Sequence, residues 1–240
     1  MEDAEYDLMD AAEERMWWYR AVHARLLAAL EVRPGVAGRP VLDAGCGTGG
    51  FLRRLGLGGF GAAGVEFNPR AARRAAAKSG VPVAAGDVNA LPFPDGAFGA
   101  AVSVDVLSHR GVEPARALAE LRRVLAPGGT LLLNLPAYAW LFSAHDVRVH
   151  NARRYTAGQA VAMVAGAGFS AVTARYWNSV LLPLMVVQRK VLARREGAAS
   201  DVTDFPPWVE RGFFAATEIE RRLPFSLPCG GSVMIAATRS

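Results

Sequence analysis

The chain has 240 residues, of which 52% are hydrophobic, and a formal net charge of +5 at pH 7. This length and apolar content predict a single domain over residues 1–240 with a sizeable core. Two cysteines exclude a disulfide framework, and arginines scattered without an aromatic-plus-basic motif argue against a nucleic-acid partner. The acidic start, Met1–Asp10, lacks the apolar stretch of a secretion signal, so a cytoplasmic location is expected.

Helical and strand patterns alternate along the chain. The first predicted element is a helix over Glu13–Leu30. Beyond it, apolar runs predict strands near 40–45, 61–67, 81–85, 99–105 and 129–135, with helices near 49–56, 69–79 and 114–125. Thr156–Ala167 predicts a further helix, Ala171–Trp177 a sixth strand and Ser232–Thr238 a seventh. The alternation predicts an α/β, Rossmann-like, doubly wound sheet with helices on both faces.

A glycine-rich loop follows the first predicted strand, in the run VLDAGCGTGG over Val41–Gly50. Gly45, Gly47 and Gly50 satisfy the G-x-G-x-x-G pattern of nucleotide-cofactor sites, and no Gly-Lys-Ser/Thr follows to make a phosphate loop. Glycines let the backbone approach a ligand closely, and the free N–H groups of the next helix face the same point. The loop therefore predicts a nucleotide-like cofactor at the carboxyl ends of the first and fourth strands.

Acidic residues end three successive predicted strands and decide between cofactors. Asp43 precedes the loop, Glu66 ends the second strand, and Asp87 follows the third. Carboxylates would repel a pyrophosphate but attract the cationic S-adenosylmethionine. Glu66 is placed to accept hydrogen bonds from ribose hydroxyls, and Asp87, beside Val88, from an adenine amine. Two alternatives remain: a solvated Asp43 in a tight turn, and a dinucleotide oxidoreductase using the same loop.

Four motifs between about Arg39 and Leu133 carry a family resemblance. VLDAGCGTG, GVE, GDVNALPFPDGAF and LRRVLAPGGTLLL resemble, in order and spacing, class I S-adenosylmethionine-dependent methyltransferases of the type-11 group. The resemblance implies a seven-stranded sheet whose last strand is antiparallel, and S-adenosylhomocysteine as product. The cofactor-contacting residues that it and the pattern above imply are Tyr19, Asp43, Gly45, Cys46, Gly47, Glu66, Phe67, Asp87, Val88 and Asp105.

The connection Pro136–Thr156 after the fifth strand is dense in titratable residues. His145, with His150 second and His109 third, is the candidate general base for an oxygen or nitrogen acceptor. The arginines at its end would bind an anionic acceptor, or would instead pair with Asp146 and fix the loop. A metal site formed by His145, Asp146 and His150 is chemically possible, but no metal is predicted. The candidate acceptor-contacting residues are Trp18, His109, Tyr138, Arg153, Arg154 and Tyr155.

A subset of the type-11 group carries a similar PAY…HD…H..RRYT segment with a leading helix like RMWWYRAVHAR. This implies that residues 1–35 form a helical lid, with Tyr19 on the cofactor and Trp18 on the acceptor wall. Because neighbouring side chains on a helix diverge by roughly 100°, at least one of these adjacent aromatics should pack on the core.

A helical insert is predicted over residues 178–228, between strands six and seven. It begins with the apolar run Val180–Val187, turns basic through Arg195, continues as a small polar linker, Glu196–Asp204, and predicts a helix over Pro207–Leu223. Residues 180–195 would suit a peripheral membrane contact or a groove for a lipid-like acceptor. Buried packing or dimerisation is the favoured interpretation, so a monomer or a homodimer is expected.

The patterns together predict methyl transfer from S-adenosylmethionine to a small-molecule or lipid-like acceptor by in-line displacement. Oxygen and nitrogen acceptors are favoured, while an activated carbon acceptor would need no base. The competing hypotheses are an NAD(P)-dependent oxidoreductase and a non-catalytic, membrane-associated protein that binds S-adenosylmethionine.

Overall fold

A computed structural model describes residues 3–33, 36, 38–189 and 205–240. The predicted linker Glu196–Asp204 and most of the basic run before it lie outside the described residues. The strands are β1 (Val41–Ala44), β2 (Ala62–Glu66), β3 (Val83–Ala85), β4 (Phe98–Val104), β5 (Leu125–Pro136), β6 (Phe169–Trp177) and β7 (Ser232–Arg239). The helices are α1 (Asp3–Ala12), α2 (Trp17–Glu31), α3 (Gly50–Leu57), α4 (Pro69–Ser79), α5 (Pro114–Val124), α6 (Ala144–Arg148), α7 (Ala157–Gly166), α8 (Leu182–Val187) and α9 (Pro207–Arg221).

The seven strands form one sheet in the order β3-β2-β1-β4-β5-β7-β6. The pairs from β3 to β5 are parallel, and β7 runs antiparallel to both of its neighbours. The predicted Rossmann-like sheet with an antiparallel last strand is confirmed. Strand order reverses between β1 and β4, and such a reversal opens a crevice at the carboxyl ends of the strands.

Two hydrophobic cores lie on opposite faces of the sheet. On one face, α5 buries Leu118 and Leu121 against β4 and β5, because its apolar residues recur every three or four positions. On the other face, α2 buries Leu26 and Leu30 in a cluster that includes Leu52 of α3. Helices therefore cover both faces, as the alternation predicts.

The predicted helix over Glu13–Leu30 is observed as α2, which begins later, at Trp17, and a separate helix, α1, precedes it within the predicted helical segment 1–35. The helical backbone is interrupted between α1 and α2. In this interruption the buried carboxylate of Glu13 accepts hydrogen bonds from Thr48 Oγ1 at 2.8 Å and from the Gly50 N–H at 3.0 Å. Glu13 thus ties the amino-terminal segment to the glycine loop and to the start of α3. The Lys78 ammonium binds both Glu13 and Asp10, so the acidic α1 is attached to basic α4.

The insert between β6 and β7 contains α8 and α9, and α9 packs along α2. The Trp17 N–H donates to Glu210 Oε2 at 2.5 Å, and Arg25 Nη2 donates to the Thr217 carbonyl at 2.5 Å. The beginning of the chain and the insert therefore form one continuous surface at the edge of the crevice. Among the described helices, none has both the length and the apolar character required to cross a bilayer.

Gly49 begins α3 with φ +92°, and a Cβ there would lie 2.7 Å from the backbone Cα of Ala75. We expect Gly49→Ala to lower the free energy of unfolding by about 2 kcal/mol or more, because strain and a backbone clash add together. Gly56→Ala is the matched control, since no atom lies within 4 Å of its Cβ position inside α3, and it should be stabilising by about 0.5–1 kcal/mol. Urea denaturation of both variants measures the difference, and equal effects would contradict the expectation.

Candidate functional site

A cavity of about 640 Å³ opens at the carboxyl ends of the strands. One half is bounded by α1, the glycine loop and the ends of β2 and β3; the other by the start of α2, α8 and α9. Thirteen of the predicted site residues line it: Trp18, Tyr19, Gly45, Gly47, Glu66, Phe67, Asp87, Val88, Asp105, His109, His145, His150 and Arg154.

Asp43 lies beneath the glycine loop and not among the residues that line the cavity. Its side chain is 3% exposed, and no described residue donates a hydrogen bond to the carboxyl group. Burial raises its pKa to about 8, and the nearby carboxylates of Glu66 and Glu13 add to the rise. A buried acid without a donor is a site that a cationic ligand would stabilise, so this end of the cavity fits S-adenosylmethionine.

Glu66 ends β2 at the rim of the same half. One carboxylate oxygen accepts from the Gly47 N–H at 2.9 Å, and the other accepts from the Asn68 N–H at 3.0 Å and the Tyr6 hydroxyl at 2.6 Å. The carboxylate thus fixes the glycine loop and holds α1 over it. Asp87 accepts the N–H of Asn89 at 2.8 Å on one oxygen, an Asx turn that orients its carboxylate at the cavity wall.

Asp105 follows β4 at the boundary between the two halves. Its backbone is left-handed, with φ +57°, and its carboxylate accepts from Asn134 Nδ2 at 2.8 Å. Desolvation raises its pKa to about 7, while that hydrogen bond and Arg154 oppose the rise. Asn134 in turn accepts from Trp177 Nε1 at 2.7 Å, so a buried hydrogen-bond chain orients the acid.

The adjacent aromatics at the start of α2 all reach the cavity, because they occupy its first turn. Trp17 packs edge-on against Phe213 of α9, with ring centres 5.7 Å apart. Trp18 stacks on Trp177 at 6.2 Å and also contacts the core, as expected for at least one of the three. Burial is the main cause that raises the pKa of Tyr19, so its phenol stays protonated.

The three histidines line one wall of the cavity. His145 lies in the short helix α6, His150 has φ +59°, and His109 follows a 3₁₀ turn after β4. Burial lowers the pKa of His109 to about 4, which makes it a weak proton acceptor.

Arg154 lines the cavity, but its guanidinium is held by the protein. Its Nε and Nη2 atoms donate to Asp146 at 2.9 and 3.0 Å, and Nη1 donates to the Ala137 carbonyl at 3.0 Å. The observed geometry therefore agrees with the alternative prediction, an arginine–aspartate pair that fixes the loop. Asp146 also accepts from Asn151 and contacts Arg189 at 3.4 Å.

Four predicted site residues lie away from the cavity for local reasons. Arg153 donates to the carbonyls of Leu107 and Val112, and Tyr155 donates to the Leu107 carbonyl at 3.0 Å. Tyr138 stacks outside the cavity on Tyr176, with ring centres 5.2 Å apart. Cys46 packs beneath the glycine loop, where burial raises its thiol pKa.

Several cavity residues were missed by sequence reasoning. Glu5, Tyr6 and Met9 come from α1, and the available signal was that Met9 lies four residues after Glu5 and three after Tyr6, on one helix face. Asn178 and Leu181 follow β6, and the position at the end of a strand was the signal there. Among the described residues, no group of three or more histidine, cysteine, aspartate or glutamate side chains is arranged to hold a metal ion.

The strand order and the position of the cavity define a Rossmann-like α/β fold with a crevice at the carboxyl ends of its strands. A SAM-dependent methyltransferase from Thermotoga maritima has the same fold, with a TM-score of 0.62 and 20% identity, covering 99% of this chain and 95% of that one. Residues 42–133 match the family model described as a methyltransferase domain. The matched region, residues 42–133, thus supports a class I S-adenosylmethionine-dependent methyltransferase domain of the type-11 group.

Curated relatives match part of the chain. A malonyl-[acyl-carrier protein] O-methyltransferase from Erwinia pyrifoliae is 41% identical over 106 residues, covering 42% of this chain and 38% of the relative. A 2-methyl-6-phytyl-1,4-hydroquinone methyltransferase from Synechocystis is 39% identical over 103 residues, covering 40% and 31%. The chain thus spans well under two thirds of the length of these relatives.

Proposed function

We propose that the chain transfers the methyl group of S-adenosylmethionine to a small-molecule or lipid-like acceptor with a largely apolar body. The observation that supports cofactor binding most is the buried carboxyl group of Asp43, which has no donor among the described residues and lies beneath the glycine loop. A cationic ligand would supply the missing opposite charge, whereas a pyrophosphate would add repulsion.

The apolar character of the other half supports the acceptor class. Leu181, Leu184 and Met185 of the insert line the cavity, as do Trp17 and Phe213, which pack edge-on against each other. This arrangement favours a groove for a lipid-like acceptor over the membrane contact considered for residues 180–195, of which the structure describes 180–189. The name of the Synechocystis relative, which specifies a phytyl hydroquinone, agrees with an apolar acceptor.

The proposed chemistry is in-line displacement. When bound, S-adenosylmethionine supplies an electrophilic methyl group on a positively charged sulfur. The cavity walls align the acceptor atom with that methyl, and alignment of this kind can contribute roughly 7–11 kcal/mol to a reaction barrier. His145 and His150 are the proposed proton acceptors for an O–H or N–H acceptor, and oxygen or nitrogen is the proposed methylated atom.

Calorimetric titration separates this proposal from the oxidoreductase alternative. We expect S-adenosylhomocysteine to bind and NADH to give no heat. Binding of NADH alone would overturn the methyltransferase proposal. Binding of S-adenosylhomocysteine without methylation of any acceptor in a broad panel would favour a non-catalytic binding protein.

The histidines are tested once an acceptor is methylated. We expect His145→Asn to lower kcat by about 100-fold for a hydroxyl acceptor, the usual contribution of a general base, with little change in cofactor affinity. Raising the pH should partly restore the variant, because the acceptor then ionises without a base. A kcat within threefold of the wild type would remove His145 from the mechanism and leave His150 as the candidate.

A further inference from the structure

Asn178 is a fully buried amide at the wall of the cavity. Its side chain has 0% exposure, and within the described part of the chain neither Oδ1 nor Nδ2 has a hydrogen-bond partner. Buried amides in folded proteins are nearly always paired, because desolvation without a partner is unfavourable. Asn178 lines the cavity, and an unpaired amide there indicates a ligand group that would pair with it when a covering side chain moves aside.

The backbone around Asn178 is fixed from both sides, which holds the residue at this corner of the cavity. The N–H groups of the next two residues donate to Glu220 Oε2 at 2.9 and 3.3 Å. The Asn178 carbonyl accepts from the Gly231 N–H at 3.2 Å. Asn178 itself has φ +59°, a left-handed conformation that asparagine adopts more readily than most residues.

Gly231 packs directly against the amide of Asn178 and the thioether of Met185. A Cβ at this position would lie 3.2 Å from Asn178 Nδ2 and 2.4 Å from Cε of Met185. The amide and the Met185 thioether thus meet at the same corner of the cavity. A polar group bound there would have an apolar neighbour directly beside it.

Strand order places this corner at the end of the cavity opposite the cofactor. Asn178 follows β6, and β4, β5 and β7 stand between β6 and β1, which carries the glycine loop. The residues that follow along the chain, including Leu181 and Met185, are apolar and line the cavity. The corner therefore belongs to the acceptor half.

We propose that Asn178 binds and orients the acceptor through a hydroxyl group carried on an apolar body. The amide N–H donates to the hydroxyl oxygen, and the amide oxygen accepts the hydroxyl proton, so both unpaired atoms are satisfied at once. The proposal rests on the proposed methyltransferase function, and it makes Asn178 a specificity-determining residue, distinct from the histidines and from Asp43.

The test uses two probes of similar shape, 4-butylphenol and its methyl ether 4-butylanisole, with protein saturated by S-adenosylhomocysteine. We expect the wild type to bind the phenol about tenfold more tightly, because the anisole cannot donate to Oδ1. Asn178→Gly should bind both probes within threefold of each other. In a ¹⁵N-labelled sample, the side-chain amide signal that is absent from Asn178→Gly should move with the phenol and remain unmoved with the anisole.

Stability provides the matched control, since glycine adopts φ +59° freely. Asn178→Gly should unfold at the same temperature as the wild type or higher, because it removes an unpaired buried amide. Asn134→Ala, at an equally buried asparagine whose amide is bonded on both sides, should unfold at a lower temperature. A comparable loss in both variants would show a structural role for Asn178 and overturn the proposal.

The remaining outcomes separate the two proposals. Equal binding of the probes by the wild type, or a phenol preference that survives in Asn178→Gly, overturns the role of Asn178 while S-adenosylhomocysteine still binds. Failure of the wild type to bind S-adenosylhomocysteine overturns the methyltransferase proposal itself.

Discussion

Asp43→Asn is expected to weaken S-adenosylmethionine binding by roughly 30-fold or more, about 2 kcal/mol. The substitution removes the buried carboxylate whose negative charge would attract the positive charge of the cofactor. The substitution keeps the shape of the side chain, so the glycine loop should remain in place. Calorimetry on the wild type and the variant at pH 8 measures the change. Unchanged affinity would show that Asp43 is a structural residue of the turn.

The binding should also depend on pH in a defined direction. The pKa of Asp43 is about 8 in the unliganded protein, and a cationic ligand favours the ionised form and lowers that pKa. Affinity is therefore expected to rise from pH 6 to pH 8 and then level off, with up to one proton released on binding below pH 8. Titrations in buffers of different ionisation enthalpy count the released proton, which Asp43→Asn should abolish.

The contribution of Asp43 to the stability of the unliganded protein should change with pH in the opposite direction, decreasing as the pH rises. The pKa of Asp43 is raised on folding, so the folded state binds the proton more tightly than the unfolded chain does. Its contribution consequently favours folding at acidic pH and is lost as pH rises through about 8. Asp43→Asn should then melt at a higher temperature than the wild type at pH 8, and a lower melting temperature would contradict this account.

Asp146→Ala is expected to lower the free energy of unfolding by about 3–5 kcal/mol, the usual cost of leaving a buried charge without its partner. Asp146 has 0% exposure, and its removal leaves Arg154, which is 8% exposed, without its carboxylate. For a chain of this size the melting temperature should fall by roughly 10 °C. Differential scanning calorimetry measures the effect.

Two companion variants identify the cause. Glu113→Ala removes the exposed partner of Arg116 and should change stability by less than about 0.5 kcal/mol. Asp146→Ala combined with Arg154→Met should be less destabilising than Asp146→Ala alone, because the more deeply buried of the two arginine charges beside Asp146 is removed with it. If the double variant is as unstable as the single one, the carboxylate acts by capping α6 through Ser143 rather than by pairing with Arg154.

The sheet and the cofactor half could be predicted because their signals are local. The glycine loop and the acidic residue at each strand end lie next to the strand itself in the sequence. One sequence pattern therefore predicts both the strand and the site. The bounds of helix α1 were missed because its acidic residues pair with α4: Lys78 binds Asp10, 68 residues away, and Arg74 binds Asp7. Neither segment alone indicates that pairing.

The acceptor half was less predictable because several of its residues could have either of two roles. Only the interatomic distances in the folded protein distinguish these roles. Arg154 could bind an acceptor or pair with Asp146, and the two arrangements have the same sequence pattern. Tyr138 and Tyr155 lie near the two ends of the same connection, yet the first stacks on Tyr176 and the second donates a hydrogen bond to the Leu107 carbonyl. Asn178 carried no motif, since its unusual feature is the lack of a partner.

The packing of α2 along α9 joins segments about 190 residues apart, through the Trp17–Glu210 and Arg25–Thr217 contacts. Under the proposed function, acceptor selectivity would depend in part on these two remote stretches changing together, while the glycine loop and the acidic strand ends proposed to bind the methyl donor lie in one continuous stretch from β1 to β4. Laboratory evolution toward a new acceptor should therefore accumulate paired replacements in these two stretches and leave the glycine loop untouched.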